Sequence, residues 1–133
     1  MDDLTGPADR IELTVPLDHH SARIMRVVAA TLGADAGYSI DEIDDFRLAL
    51  DEAFGLLVDA DAAANTDTAP ARALCTFAPL GATLQATLRR LDDVPPATPD
   101  ALATGILQVV VDEFRVADTV IVLRKRATEL TIS

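Results

Sequence analysis

The sequence predicts an α+β fold: a two-layer sandwich in which helices cover one face of a mixed, largely antiparallel sheet. The first observation is the order of its patterns, because strand-like alternation and helix-like spacing of apolar residues follow each other as β-α-α-β-β-α-β-β. The second is that the last four strands form two hairpins, which join antiparallel neighbours. The 133 residues suffice for one core, so we expect a single domain over residues 10–133, after a flexible acidic leader over 1–9.

The first strand and the first helix follow the leader. In residues 10–16, apolar side chains alternate with polar ones until Pro16 ends the strand. Asp18 then caps a helix that runs to Leu32. The apolar positions predict a buried stripe on this helix, formed by Ile24, Val28 and Leu32 and broadened by Met25 and Val27.

The stretch 39–60 has the clearest helical pattern. Ser39 lies three residues before Glu42, which predicts a capping box at the helix start. One apolar stripe then recurs at three- and four-residue intervals: Ile43, Phe46, Leu50, Phe54 and Leu57. A second line joins Leu48, Glu52 and Leu56. Because Glu52 has an apolar neighbour one turn away on each side, it is either a solvated glutamate or a carboxylate at the edge of a pocket.

Two hairpins and a third helix complete the pattern. After a small, polar loop over 61–70, strands are predicted over 72–78 and 82–91, with alternate apolar side chains on one face. Thr98 is predicted to cap the third helix, whose core face would be formed by Leu102, Ile106, Val109 and Val110. The closing hairpin joins 114–116 to 119–126. Its continuously apolar stretch 120–123 indicates an interior strand, and the basic run 124–126 is interpreted as a guard against edge pairing.

Composition limits the classes of partner and site. The formal net charge of −11 argues against direct nucleic-acid binding, since phosphates would be repelled, and favours a basic protein partner. The single cysteine excludes an internal disulfide, and no apolar run is long enough to span a membrane, so we expect a cytoplasmic protein. The two histidines are adjacent, which does not suit a zinc site, so no metal ligands are assigned.

One motif in the second helix resembles a known family. The run RLALDEAFGLLVDA is similar to the N box of the RsbW-type anti-sigma factors, a branch of the GHKL ATPase/kinase superfamily. Leu48, Asp51, Glu52 and Ala53 stand where that motif begins. The resemblance implies a GHKL (Bergerat-like) fold. It also implies that Glu52 stands at the position of the family's catalytic base and is a remnant of that base. Leu56 stands where the family has the asparagine that holds magnesium.

The two glycine boxes of the family are also matched in part. Asp92 stands at the aspartate that recognises adenine, but Val94 and Pro96 replace the glycines that follow it. The alternative is that Asp92 only forms a turn. In TGILQVVVDEF, Gly105 matches the second box, and its alternative role is close packing of the helix on the sheet. The resemblance thus assigns Asp92 and Gly105 to a degenerate nucleotide site.

The first helix carries a third likeness to the family. Its run HSARIMRVV resembles the helix in which an arginine contacts the sigma factor, and this likeness assigns Arg23 and Arg26 to partner binding. The alternative is that Arg23 is an exposed, solubilising arginine.

These assignments lead to one expected function and two alternatives. The first is an anti-sigma factor that sequesters an alternative sigma factor of the sigma-70 family. An anti-anti-sigma (STAS) protein would release it, and it would act as a homodimer, without a cofactor, nucleic-acid contact or membrane contact. The second is a serine kinase that phosphorylates the STAS partner with Mg-ATP and Glu52. The third is a GHKL-like domain that regulates a partner other than a sigma factor.

Overall fold

The computed structural model describes residues 10–60 and 71–128, and the predicted order of elements is confirmed there. The elements are β1 (Ile11–Pro16), α1 (His19–Asp35), α2 (Ile40–Val58), β2 (Arg72–Leu80), β3 (Thr83–Arg90), α3 (Ala101–Val110), β4 (Glu113–Ala117) and β5 (Val120–Arg126). The predicted leader over 1–9 and the predicted loop over 61–70 lie outside the described residues.

The five described strands form one sheet in the order β1-β2-β3-β5-β4, and every neighbouring pair is antiparallel. The sheet is therefore antiparallel throughout rather than mixed. As predicted, β5 is an interior strand. The basic run 124–126 lies on it and so does not guard an edge. Instead, Arg124 donates hydrogen bonds to side chains on both neighbouring strands, to Gln85 at 2.6 Å and to Glu113 at 3.4 Å.

The core lies between the sheet and the helices. The predicted inward positions of both long strands are buried, and Phe77 and Leu88 are fully enclosed. From the other layer, α2 buries Phe46, Leu50 and Leu57, which confirms its predicted stripe. The predicted capping box is present as well, since Ser39 and Glu42 bond to each other's backbone amides. Burial of these apolar side chains is the main favourable term for folding.

The buried face of α1 differs from the predicted stripe. It is formed by Ser21, Met25, Ala29 and Gly33, whereas Ile24 and Val27 are exposed. Of the predicted stripe, Met25 is fully buried, and Val28 and Leu32 are partly buried against the core. At the end of the helix a Cβ atom placed on Gly33 would lie 2.8 Å from the ring of Tyr38, so only glycine fits there without a shift. The helix also continues past Leu32 to Asp35.

The start and the buried face of α3 also differ from the prediction. Asp100, and not Thr98, is the N-cap, because its carboxylate accepts a hydrogen bond from the backbone N–H of Ala103 at 2.8 Å. The buried side chains are those of Ala103, Leu107 and Val110. Of the predicted core face only Val110 is buried: Ile106 is half-buried, and two members are exposed.

Two buried cations hold the C-terminal ends of the helices against the sheet. The guanidinium of Arg90 donates hydrogen bonds to the carbonyl oxygens of Leu57 and Ala60 at the end of α2, at 3.0 and 3.3 Å. The ammonium of Lys125 donates to the carbonyl oxygen of Val110 at the end of α3, at 2.9 Å. Positive charge at these ends also interacts favourably with the negative pole of each helix dipole. The positions of α2 and α3, and of the grooves beside them, follow from these contacts.

Candidate functional site

The side of α2 that faces away from the core is strongly acidic. Around Leu48, at spacings of three, four and seven residues, stand Asp41, Asp44, Asp45, Asp51 and Glu52, which we call the acidic face of α2. Leu48 is the apolar residue at its centre and is 41% exposed. Grooves open on both flanks of this face, one toward α3 and one toward α1.

The groove between α2 and α3 has a volume of about 270 Å³, and we call it the α2–α3 groove. Four carboxylates line it, and none of its lining residues is a lysine, arginine or histidine: Asp51, Glu52, Gly55, Leu56, Asp59, Ala97, Thr98, Asp100, Leu102 and Ala103. The backbone N–H of Ala97 donates to the carbonyl oxygen of Leu56 at 2.8 Å and so ties the segment before α3 to α2. Among the described residues that line it, every charged side chain is negative, so a phosphate group placed here would be repelled.

The residues that the resemblance assigns to a nucleotide site do not all lie at this groove. Glu52 is half-buried and lines it, at the edge of a pocket as one interpretation expected. Leu56, at the position of the magnesium-binding asparagine, is buried in the core and offers no oxygen.

Asp92 does not line this groove. Its carboxylate is held by the guanidinium of Arg90, at 3.0 and 2.7 Å, and also accepts a hydrogen bond from the backbone N–H of Val94 at 3.2 Å. The hydrogen bonds from Arg90 lower the pKa of Asp92 below its ordinary value. This geometry is that of a residue that shapes a turn, since the side chain bonds to the backbone two positions ahead.

Gly105 lies on the exposed side of α3. A Cβ atom built there would meet no atom within 4 Å, so the alternative of close packing against the sheet is wrong. Gly105 belongs to a second, shallow groove that adjoins the α2–α3 groove at Leu102. The structure thus brings Glu52 and Gly105 to neighbouring grooves and leaves Asp92 outside both.

Arg23 and Arg26 lie at the third groove, which separates α1 from α2 and has a volume of about 700 Å³. Arg26 is paired with Asp51 of α2, at 2.9 Å, and so links the two helices. Arg23 is exposed and makes no hydrogen bond or ion pair with any residue that the structure describes. It is therefore available to a partner.

Sequence reasoning missed a third arginine on this surface. Arg47 of α2 lines a depression of about 370 Å³ with Arg23, Arg26 and the exposed Val27. The sequence signal for Arg47 is its position directly before Leu48. Successive residues of a helix are rotated by about 100°, so Arg47 projects from α2 on the side next to Leu48, which is the side of α1. The three arginines make a basic border on a chain that is acidic as a whole. We call the surface formed by Arg23, Arg26, Val27 and Arg47 the arginine surface.

Metal ligands and membrane spans were also sought in residues 10–60 and 71–128. No three or more histidine, cysteine, aspartate or glutamate side chains converge there as a metal site would require. None of the helices in those ranges combines the length and apolar character needed to cross a bilayer.

This fold has a solved counterpart. The structure resembles the crystal structure of the RsbU and RsbW domains of Rv1364c from Mycobacterium tuberculosis, with a TM-score of 0.63 and 18% sequence identity. The match covers 92% of this chain and 34% of that one, so this chain spans about a third of the length of its neighbour. No protein-family model and no curated protein matches the chain. At this identity the likeness shows the fold, and it confirms the predicted α+β sandwich with helices on one face of the sheet.

Proposed function

We propose that this chain is a partner-switching protein of the anti-sigma type, which sequesters an alternative sigma factor of the sigma-70 family by protein–protein contact. A STAS-type anti-anti-sigma protein releases it by binding an overlapping surface. The observation that carries the proposal is the α2–α3 groove. Of the residues that the resemblance assigns to a nucleotide site, Glu52 lines this groove, where it is joined by three further carboxylates, one of them paired with Arg26, and a leucine stands at the magnesium position.

The charges in this groove argue against ATP as a substrate. At an effective dielectric constant of about 20, two like charges about 4 Å apart repel each other by ~4 kcal/mol, and four carboxylates line the groove. The volume of about 270 Å³ also lies below the ~300–1,000 Å³ of ordinary small-molecule sites. Glu52 could accept a proton there, but a base without a positioned substrate contributes little to rate. We therefore propose that the chain uses neither ATP nor magnesium.

Two features support a protein partner. Sigma factors have basic DNA-binding surfaces, and an acidic protein with a net charge of −11 attracts them during diffusional encounter. The arginine surface then supplies anchors of the kind that dominate binding energy, since arginine is enriched at hot spots. We further propose a homodimer that forms through the sheet face opposite the helices. That face bears partly exposed apolar side chains such as Leu74 and Val122.

Replacing Arg23 with glutamate tests the partner surface. We expect binding to the co-purified sigma factor to weaken by about 2 kcal/mol or more, because an exposed cationic anchor is replaced by a negatively charged side chain. The matched control is Arg10→Glu, the same change at an exposed position next to β1. Titration calorimetry measures both. If the affinity stays the same in both variants, Arg23 is a solubilising residue and not part of the interface. If co-purification recovers neither a sigma factor nor a STAS protein, the result favours a domain that regulates some other partner.

Thermal melting with millimolar Mg-ATP tests the kinase alternative. A ligand that binds only the folded state at 100 times its dissociation constant stabilises it by about 2.7 kcal/mol, which raises the melting midpoint by several degrees. We expect no rise beyond that produced by magnesium alone. A rise specific to the nucleotide, together with phosphate transfer to the STAS partner, would establish the kinase instead.

A further inference from the structure

Helix α3 is apolar on nearly all sides. Its sequence ALATGILQVV contains only two polar side chains, those of Thr104 and Gln108. A helix that is apolar on nearly all sides is normally buried on all sides. Here only one side faces the core. On the other side, Leu102 is 72% exposed and Val109 is 82% exposed.

A residue of α2 extends this uncovered face into a groove. Leu48, the apolar centre of the acidic face of α2, lies across from α3 and lines a shallow depression of about 380 Å³. The lining is entirely apolar: Leu48, Ala101, Leu102, Gly105, Ile106, Val109 and Val110. We call this the apolar groove. Because no atom lies within 4 Å of a Cβ built on Gly105, this position leaves space for a side chain from outside. Contiguous exposed apolar surface of this kind marks an interaction site.

The rim of the apolar groove is negatively charged. Four carboxylates stand one turn before and one turn after Leu48 on α2: Asp44, Asp45, Asp51 and Glu52. Asp100 and Asp112 flank the two ends of α3. Three of the four α2 carboxylates have a cationic partner, since Arg47 pairs with Asp44 at 3.4 Å, Lys125 lies 3.9 Å from Asp45, and Arg26 pairs with Asp51 at 2.9 Å. With Glu52, Asp100 and Asp112, the carboxylates still outnumber these cations by six to three, so the rim stays net negative.

This charge decides between the possible occupants. A second copy of the chain would bind through the same patch on both molecules and would bring two acidic rims into contact, where like charges repel each other. A basic amphipathic helix, in contrast, is complementary to the groove in both charge and apolar surface. Its apolar side chains, at spacings of three and four residues, fill the groove while its lysines and arginines meet the carboxylates of the rim.

We propose that the apolar groove binds a basic amphipathic helix of a protein partner. Leu102, Ile106, Val109 and Leu48 contact its apolar side, and the acidic face of α2 contacts its basic side. The proposal rests on the proposed function in that it adds a second contact to the arginine surface. The two surfaces lie on different flanks of α2 and share no lining residue, so one partner can engage both.

The test uses the full chain and defined peptides. The probe is a fluorescein-labelled 18-residue helical peptide with leucines at i, i+3, i+4 and i+7 and lysines at the remaining positions. One matched peptide has glutamate for each lysine, and another has serine for each leucine. The chain variants are Leu102→Ser/Val109→Ser and, as a control of similar exposure outside the groove, Ile40→Ser at the start of α2, which is 79% exposed. Fluorescence anisotropy at physiological salt gives the affinities, and circular dichroism checks folding.

We expect the leucine-lysine peptide to bind, the two matched peptides to bind at least tenfold more weakly, and the double variant to lose at least tenfold in affinity while Ile40→Ser does not. Equal binding by the double variant, or by the serine peptide, would mean attraction to acidic charge alone and would overturn the proposal. A dimer that becomes monomeric in the double variant, measured by sedimentation, would identify a second copy as the occupant and overturn it as well.

The co-purified sigma factor separates this proposal from the proposed function. If the wild-type chain binds the leucine-lysine peptide in the groove but binds no sigma factor or STAS protein, the groove is supported and the anti-sigma function is refuted. If the sigma factor binds the wild-type chain and the double variant equally, and the peptide does not bind, the groove is refuted and the function stands.

Discussion

Replacing Arg90 with leucine tests how the C-terminal end of α2 is held in place. The guanidinium is buried and donates to the carbonyl oxygens of Leu57 and Ala60 while it pairs with Asp92. Each hydrogen bond that involves a charged group is worth about 1.5–3 kcal/mol. Asp92 is nearly half exposed and can be solvated again, so its loss of a partner adds little. After partial relaxation of the helix end, we expect the free energy of unfolding to fall by about 2–4 kcal/mol, a large share of a typical ~5–15 kcal/mol.

Urea unfolding followed by circular dichroism measures this change. With a slope of about 1.5 kcal/mol/M, which is ordinary for a small domain, the midpoint should fall by roughly 1.3–2.7 M. The matched control is Arg89→Leu, one residue earlier on the opposite face of β3. Within the part of the chain that the structure describes, Arg89 makes one exposed ion pair, with Asp93 at 3.8 Å, so its loss should cost less than about 0.5 kcal/mol. Equal midpoints for the two variants would refute the view that Arg90 stabilises the end of α2.

Two further predictions concern single titratable groups. Hydrogen bonds from Thr128, and from the backbone of Ser39, lower the pKa of Glu42 to about 2. Because this pKa is depressed, the stability that Glu42 contributes is present above its ordinary pKa and is lost as the pH falls toward 2. The wild type should therefore exceed Glu42→Gln in stability at pH 7 by up to about 1 kcal/mol, since the site is open to water, and the gap should narrow below pH 4.5 in urea titrations. A gap that is constant from pH 7 to pH 3 would contradict this assignment. Burial raises the pKa of the Cys75 thiol to about 12, so it should react with a chromogenic disulfide reagent only after unfolding in urea, and rapid reaction of the native protein would disprove its burial.

The candidate site could be predicted from the sequence only in part. The helical period placed Glu52 on the outer side of α2, because residues three and four apart share a face, and left open whether it is solvated or at the edge of a pocket. The same reasoning could not show that three further carboxylates, from α2 and from the segment before α3, meet Glu52 in one groove. Nor could it show that Asp92 is held by Arg90, because side-chain pairing depends on where neighbouring elements lie.

The sequence by itself determined the order of the elements, the capping box of α2 and the inward positions of the long strands. These features depend on residues that are close in the chain, where the periods of two and 3.6 residues and the capping side chains act directly. Only the tertiary structure decided which faces of α1 and α3 are buried. In α1 apolar residues occur on more than one side, so their spacing does not select Met25 over Ile24, and α3 has too few polar residues to mark an outer face. The uncovered Leu102 and Val109 follow from that choice, since the sheet can cover only one side of a helix.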